Sequence, residues 1–567
     1  MKVRAILGMI GVAAGLIAAC GTDGSVITDD DEPSGSGAGN QGGAGQGGSG
    51  DGGIGFGGFG QGGGQGAMGP SCKVPPDADD AVIGTCEDIA PADSFDPAVQ
   101  WEWTAPPPSD PSSLIIGSFV TPLVGNFTDD NGDGDIDLCD SPEVLVTVID
   151  SFAFGGGTQL VTSNAILYML DGATGTQTMT FPGLVDGFVY PAFGDIDNDG
   201  LPEVVTANSN GQIVAYEHDG ALKWTGPVGG YRDSFASAQC TATAIYDIDA
   251  DGTPEILLGY EVFDNQGNRL WGLPGNAASF DGQYWCVTPT AADLDGDGRL
   301  EVLFGHETYD DDGTPLWTLP AGEPPGHPHV ANLDSDPEPE VFIANANGIW
   351  VLEHDGTVKM GPLRPTDPNP APNCWGKPAV VHDFDGDGDA DLAASTCSDY
   401  TVYDVGGADV GIVWSAPVSD FSGLATATAF DFLGDAVAEA IYADENQIYI
   451  FDGVTGNVNL TQPRASGTLI EYPVVADIDN DASAEIVYVS NYNNGAGNGA
   501  TVSVTRDAMD RWIPARRIWN QYSYHVTNVR EDGTIPPVMK KSWENLNTFR
   551  VNSQISTEGD CIPDPPE

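Results

Sequence analysis

Basic residues are scarce. Nineteen Lys and Arg face 84 Asp and Glu in 567 residues, a formal net charge of −65. A chain this acidic repels nucleic acid and anionic lipid surfaces, so neither is an expected partner. Histidine is scarcer still, at seven. No Gly-x-Ser-x-Gly elbow, phosphate loop or His-Glu-x-x-His helix occurs, which removes common signatures of acyl transfer, nucleotide binding and zinc proteolysis. Past residue 19 no run is long and apolar enough to cross a bilayer as a helix. Apolar residues are not lacking: 40% of the chain is hydrophobic, with 12 Trp and 21 Phe. That excludes a polyacidic disordered chain and predicts a large packed core.

The first residues read as an address. Lys2 and Arg4 precede the apolar run 5–19, which ends in Ile17-Ala18-Ala19-Cys20. The run is too short for a comfortable span. Small residues before a cysteine at this point resemble a bacterial lipobox. The resemblance implies that residues 1–20 are a lipoprotein signal with Cys20 as the acylated residue. Gly21 in place of Asp leans toward the outer membrane, with the lipid as the only membrane contact. Residues 21–71 form a linker, and Ser34 to Gly69 is mostly Gly with Ser, Gln, Asn and Ala. As a random coil that stretch reaches about 30–36 Å. Residues 72–96 are a short bridge carrying Cys72 and Cys86.

From residue 97 to about 510 the chain repeats. A unit reads as apolar strand, acidic loop, apolar strand, strand, and a strand bearing Trp. The clearest copies are 190–227, 240–274, 287–320 and 329–362, and acidic loops begin at 129, 195, 247, 293, 332, 383, 431 and 477. Four short strands per unit at a period of about 45 residues predict an all-β propeller, because one blade cannot bury both its faces alone. The last repeat lacks a Trp strand, whereas VQWEWTAP (99–106) precedes the first loop. That strand is expected to complete the last blade and close the ring. The count is eight blades, or seven if the loop at 129 or 431 lies outside the ring.

Residues 97–510 resemble the FG-GAP/VCBS repeats also found in integrin α-subunits, whose motif is D-x-D-x-D-G-x-x-D/E. Positions 1, 3, 5 and 9 of so tight a loop can converge on one cation, with Gly at position 6 making the turn. All-oxygen ligands favour calcium. Four loops match in full: Asp195/Asp197/Asp199/Glu203, Asp247/Asp249/Asp251/Glu255, Asp293/Asp295/Asp297/Glu301 and Asp383/Asp385/Asp387/Asp391. Asp477/Asp479/Asp481/Glu485 has Ala482 in place of Gly and is expected to bind more weakly. Asn332/Asp334/Asp336/Glu340 has Pro337 there, which leaves its metal open, and Asp431/Leu433/Asp435/Glu439 has lost a ligand and is expected to be empty. The first loop, Asp129/Asn131/Asp133/Asp137/Asp140, fits both the nine-residue pattern and a twelve-residue EF-hand-like one. These sites read as structural, since a saturated calcium has no position for substrate.

Two enzyme readings compete with a surface binding or adhesion module. LDGATG (170–175) and FDGVTG (451–456) are similar to quinoprotein repeats, but no Cys-Cys pair accompanies them. Rhamnogalacturonan lyases resemble this chain in joining an eight-bladed propeller to DGDG loops. Arg232 and Lys377 are the candidates such chemistry offers, and they do not assemble into a site. His327-Pro328-His329 has the spacing of two ligands on one strand face, against the plainer reading of framework positions. The expected ligand is a surface protein or a glycan. The segment 511–567 reads as a cap. Arg506 to Arg550 holds eight of the 19 basic residues among Trp and Tyr, and Arg516, Arg517, Trp519, Asn520, Tyr522 and His525 are its candidate ligand surface. Eight cysteines besides Cys20 predict disulfides. A hairpin should join Cys374 to Cys397, and blade entries should join Cys240 to Cys286. Elimination leaves Cys72 with Cys86 and Cys139 with Cys561.

Overall fold

The computed structural model describes residues 84–109, 117–155, 159–230, 240–272, 286–334, 336–366, 375–396, 398–405, 410–420, 425–491, 499–556 and 559–562. Cys20, the linker, Arg232, Cys374 and Cys397 lie outside the described residues.

Each blade is a four-stranded antiparallel sheet whose strands follow one another from the ring centre outward. Blade 2 is typical: Ala192–Gly194, Glu203–Ala207, Gln212–Tyr216 and Leu222–Val228. Its first two strands are wholly buried and its fourth is half exposed. Inner strands packed on both faces need continuous apolar side chains, and only the outer strand can carry charge. The remaining blades begin at Leu123, Cys240, Thr290, Gly326, Val380, Ala427 and Val474, which makes eight. The loops at 129 and 431 both sit between the first two strands of a blade, so both doubtful units belong to the ring. Blade 1 is elaborated into a long hairpin, Glu143–Gly155 with Gln159–Asp171.

Closure runs as the sequence implies. Pro97–Trp103 pairs antiparallel with Val502–Asp507 and forms the outer strand of blade 8. The Trp strands have a second role. Trp101 Nε1 donates to Gly172 O (2.5 Å), Trp224 Nε1 to Asn265 O (3.0 Å) and Trp271 Nε1 to Asp311 O (3.0 Å). Each acceptor is in the turn before the outer strand of the following blade. At Gly267, φ is +78° and an added Cβ would lie 2.5 Å from the Trp224 ring, so the turn accepts the indole only as glycine. The LDGATG phrase is such a turn: Gly175 stands against Trp101.

Two disulfides are described. Cys240–Cys286 joins adjacent blade entries, as expected. The pairing reached by elimination is corrected: Cys86 bonds Cys561, where Gly84–Thr85 runs parallel to Gly559–Ile562. Cys139 is disulfide-bonded as well. Spacing could not reveal Cys86–Cys561, because 475 residues separate two ends that meet only in the folded ring. Non-reducing peptide mapping is expected to recover the Cys86–Cys561 linked pair. Recovery of Cys86 linked to Cys72 would refute it.

Candidate metal centres and the ring centre

The acidic loops share one geometry. The acid at position 9 begins the second strand, is buried, and accepts a hydrogen bond from the N–H at position 2. The pairs are Ile248 to Glu255 (3.0 Å), Leu294 to Glu301 (2.6 Å), Phe384 to Asp391 (3.1 Å) and Ile478 to Glu485 (3.0 Å). Position 1 folds back on the loop, as where Asp247 accepts from Asp251 N (3.1 Å) and Gly252 N (2.7 Å). Gly252 has φ +89°, and Ala482 adopts +67° in blade 8, so that loop keeps the turn with a residue that prefers to avoid it. Carboxylate oxygens of Asp195/Asp197/Asp199, Asp247/Asp249/Asp251 and Asp293/Asp295/Asp297 lie within 4.8 Å of one another.

Position 5 lies at the outer side of each loop. Asp133 in blade 1 and Asp387 in blade 6 are exposed there, as are Asp199, Asp251 and Asp297 in blades 2, 3 and 4, whereas the position-9 acids Glu203, Glu255, Glu301 and Asp391 are buried. Asp133 Oδ1 accepts from Asp135 N (3.0 Å), and Asp387 Oδ1 accepts from Asp389 N (3.0 Å). One oxygen of each is therefore committed to the turn that brings the chain round toward the second strand. The physical reason is the local bond from an aspartate to the N–H two residues on, which holds the side chain against its own backbone at the solvent edge. Their backbones face the other way: Asp133 N donates to Asp129 Oδ1 (3.1 Å) and Asn131 Oδ1 (2.9 Å), and Asp387 N to Asp385 Oδ1 (3.2 Å). Asp199, Asp251 and Asp297 make the same turn in blades 2, 3 and 4.

Packing carboxylates this way is costly without a cation. Burial first, then neighbouring aspartates, pushes Glu255 up to about 8, Glu301 to about 7 and Asp391 to about 8. Burial, with Asp481 and Asp479 beside it, raises Asp477 to about 7. In blade 8, Asp479 Oδ1 and Glu485 Oε1 are buried without a hydrogen-bond partner. The donor set is all oxygen and fits a hard divalent cation.

Four loops differ. In blade 1 the closing acid is Asp140, which accepts from Asp130 N (3.2 Å), Asn131 N (3.1 Å) and Asp137 N (2.9 Å), while Asp137 Oδ1 takes Cys139 N (3.0 Å). The loop therefore closes on its twelfth residue, Asp140. It is inserted ahead of Glu143, which accepts from Phe127 N (2.8 Å) as the position-9 acids do and which sequence spacing missed. In blade 7, Asp431 accepts from the N–H groups of Leu433, Gly434, Asp435 and Ala436, and Leu433 O accepts from Ala90 N (2.7 Å). That loop is a docking point for the segment before the ring. In blades 2 and 5 a lysine stands among the acids. Lys223 Nζ lies 2.6 Å from Asp197, 2.9 Å from Glu203 and 3.1 Å from Glu217. Lys359 Nζ pairs with Asp334, with Glu340 at 2.6 Å and with Glu353 at 3.4 Å.

The candidate ligand surface is corrected. Arg516, Trp519, Asn520, Tyr522 and His525 are buried, and Arg517 is half-buried. The inner edge of a blade presents backbone groups to the ring centre, and the C-terminal segment bonds to those of most blades. Trp519 exchanges backbone hydrogen bonds with Val124 (2.8 and 3.1 Å) and Asn520 bonds Phe193. Gln521 Oε1 accepts from Ile245 N (2.9 Å). Phe549 pairs with Val381, Arg550 O accepts from Thr428 Oγ1 (2.6 Å), and Asn552 Nδ2 donates to Val475 O (2.9 Å). Asn547 reaches the blade 5 loop at Asn332, and Trp543 is buried in the same apolar cluster as Ala292 and Leu294 of blade 4. The segment thus touches all eight blades. Its cations are spent internally: Arg516 on Val526 O, Val529 O and Asp560, and Arg517 on Glu531, Leu138 O and Asn480. The available signal was the run of amides among aromatics, Asn520, Gln521, Asn547 and Asn552.

The other candidates are likewise internal. His327 Nδ1 bonds Thr288 Oγ1 (2.8 Å) and His329 Nε2 accepts from Ala379 N (2.9 Å), so the strand-face pair is held by hydrogen bonds. Lys377 is buried, and burial lowers it to about 8.

An FG-GAP-like repeat model matches residues 195–258 and 332–394. No curated protein sequence matches the chain. Among solved structures, the V. cholerae biofilm matrix protein Bap1 aligns with a TM-score of 0.66 at 21% identity, over 84% of this chain and 100% of that one. A rhamnogalacturonan lyase of Bacillus licheniformis aligns at 0.49 and 18% identity, over 82% of this chain and 83% of the lyase.

Proposed function

We infer that this chain, an eight-bladed propeller carrying FG-GAP-like repeats, is a calcium-binding, non-catalytic adhesion module tethered to a bacterial outer membrane through a lipid on Cys20. The observation that carries the reading is the filled ring centre. A propeller enzyme commonly works from the mouth of its central channel, and here the chain's own C-terminal segment occupies that place with its polar groups turned to the blades. The acids fit structural calcium, which would offset part of the net charge of −65. The long Gly-rich linker would hold the ring clear of the lipid headgroups. A biofilm matrix role for the similar V. cholerae protein accords with adhesion, although at 21% identity the likeness bears on the fold.

The full chain is expected to bind extracellular polysaccharide or cell surfaces in calcium and to release them in EGTA. Ultraviolet-absorbing unsaturated sugars released from pectic glycans would replace this reading with a lyase. Metabolic labelling with a radioactive fatty acid is expected to mark the chain, and Cys20→Ala to abolish the label. Equal labelling of that variant would refute the anchor.

A further inference from the structure

In blades 1 to 5 and 8 the outer strand carries a β-bulge just before its Trp or Met. In blade 2 the register passes from Ala215↔Trp224 to Tyr216↔Leu222, leaving Lys223 as the extra residue. The same shift leaves Leu270 in blade 3, Leu316 in blade 4, Lys359 in blade 5 and Gln100 in blade 8. A bulge re-aims one side chain out of the strand's alternation. Here it aims at the neighbouring acidic loop. Lys223 reaches Asp197, Lys359 reaches Asp334, and Gln100 Nε2 donates to Asp479 Oδ2 (2.7 Å), each the position-3 acid of its loop. Leu270 and Leu316 offer no polar group and stand about half exposed.

A second position varies in step with the first. The residue closing the third strand is Asp264 in blade 3, Asp310 in blade 4 and Asp452 in blade 7, each donating its N–H to the turn that follows. In blades 2 and 5 it is Glu217 and Glu353, with the same backbone bond. The additional methylene lets the carboxylate meet the lysine, at 3.1 Å and 3.4 Å. An ammonium has three N–H donors, and in both blades it has three carboxylates around it.

We propose that Lys223 and Lys359 are built-in counter-ions that take the place of calcium in blades 2 and 5, so that the bulge residue decides which loops bind metal. The inference rests on the calcium reading of the remaining loops. It separates blade 2, whose motif is complete, from blades 3 and 4, whose motifs are equally complete. A calcium ion must lie about 2.3–2.6 Å from its carboxylate oxygens. In blade 2 the oxygens of Asp197 and Glu203 already hold the ammonium at 2.6 and 2.9 Å, so an ion there would stand against a positive charge.

The test counts calcium bound per folded full chain by equilibrium dialysis. Lys223→Leu, which copies blades 3 and 4, is expected to bind one calcium more than wild type. Leu270→Lys with Asp264→Glu, which copies blade 2 into blade 3, is expected to bind one fewer. Unchanged counts in both variants would overturn the proposal. Wild type that binds none would instead overturn the calcium reading. The lysines are then judged by melting in EGTA, where Lys223→Leu is expected to lower the melting temperature and an unchanged value would dismiss the internal counter-ion.

Discussion

Stripping calcium with EGTA at pH 8 is expected to lower the melting temperature by on the order of 10 °C, and by much less at pH 5. A ligand that binds only the native state stabilises it by about 2.7 kcal/mol per site at a hundredfold excess over Kd, and several sites act together. The pH dependence follows from the buried acids. Without metal, Glu255, Glu301 and Asp391 hold their protons up to about 8, 7 and 8, because burial and adjacent aspartates disfavour the charged form. In the unfolded chain they lose those protons near 4.5 for Glu and 3.8 for Asp. A raised native value means stability that is complete below the unfolded value and is lost as pH rises through the native one. The metal-free ring is therefore expected to be more stable at pH 5 than at pH 8, weakening as pH rises between them. Calcium replaces the protons, so its benefit grows over the same window. Melting curves at the two pH values, with and without calcium, check this. A curve unmoved by EGTA at pH 8 would sink the calcium assignment, and an EGTA effect equal at both pH values would sink the account of the buried acids.

Trp519→Ala is expected to destabilise the ring by about 3–5 kcal/mol, the range for emptying a large buried aromatic site. The indole is fully buried, stacks on Tyr524 at 4.4 Å and meets Tyr472 edge-on at 5.9 Å. Its backbone also supplies the inner-edge hydrogen bonds of blade 1. The ring centre is made by one continuous segment, so a cavity there loosens contacts to several blades. Denaturant unfolding measures the loss, and ligand binding per folded molecule should be unchanged. A variant as stable as wild type that fails to bind glycan would return Trp519 to a ligand site.

The repeat and its loops were legible because they are local. A strand, nine loop residues and a second strand contain all the acids of one loop, and the N–H at position 2 meets the acid at position 9 within one turn. How far each acid is buried was not legible, since Asp387 and Asp391 are both acids of one motif and only the folded loop leaves the first exposed and buries the second. Closure was legible because a Trp strand was missing at one end and surplus at the other. Glu143 was not, since an inserted loop separates it from the blade position to which it belongs. The glycine turns were ambiguous for a related reason: Gly267 is required by Trp224, which belongs to the preceding blade.

By itself the sequence determined the fold class, the blade count to within one, the order of strands and the positions of the acidic loops, because each depends on patterns shorter than a blade. The tertiary structure alone decided what lies at the centre. Trp519, Asn520 and Arg516 have the composition of a binding surface, and only the ring of unpaired strand edges around them turns their amides and guanidinium inward. It also decided which carboxylates meet a lysine, since Lys223 and Asp197 are brought together by a bulge on a strand two places away in the sheet. The pairing of Cys86 with Cys561 waited on the same closure, which places the chain before the first blade beside the chain after the last.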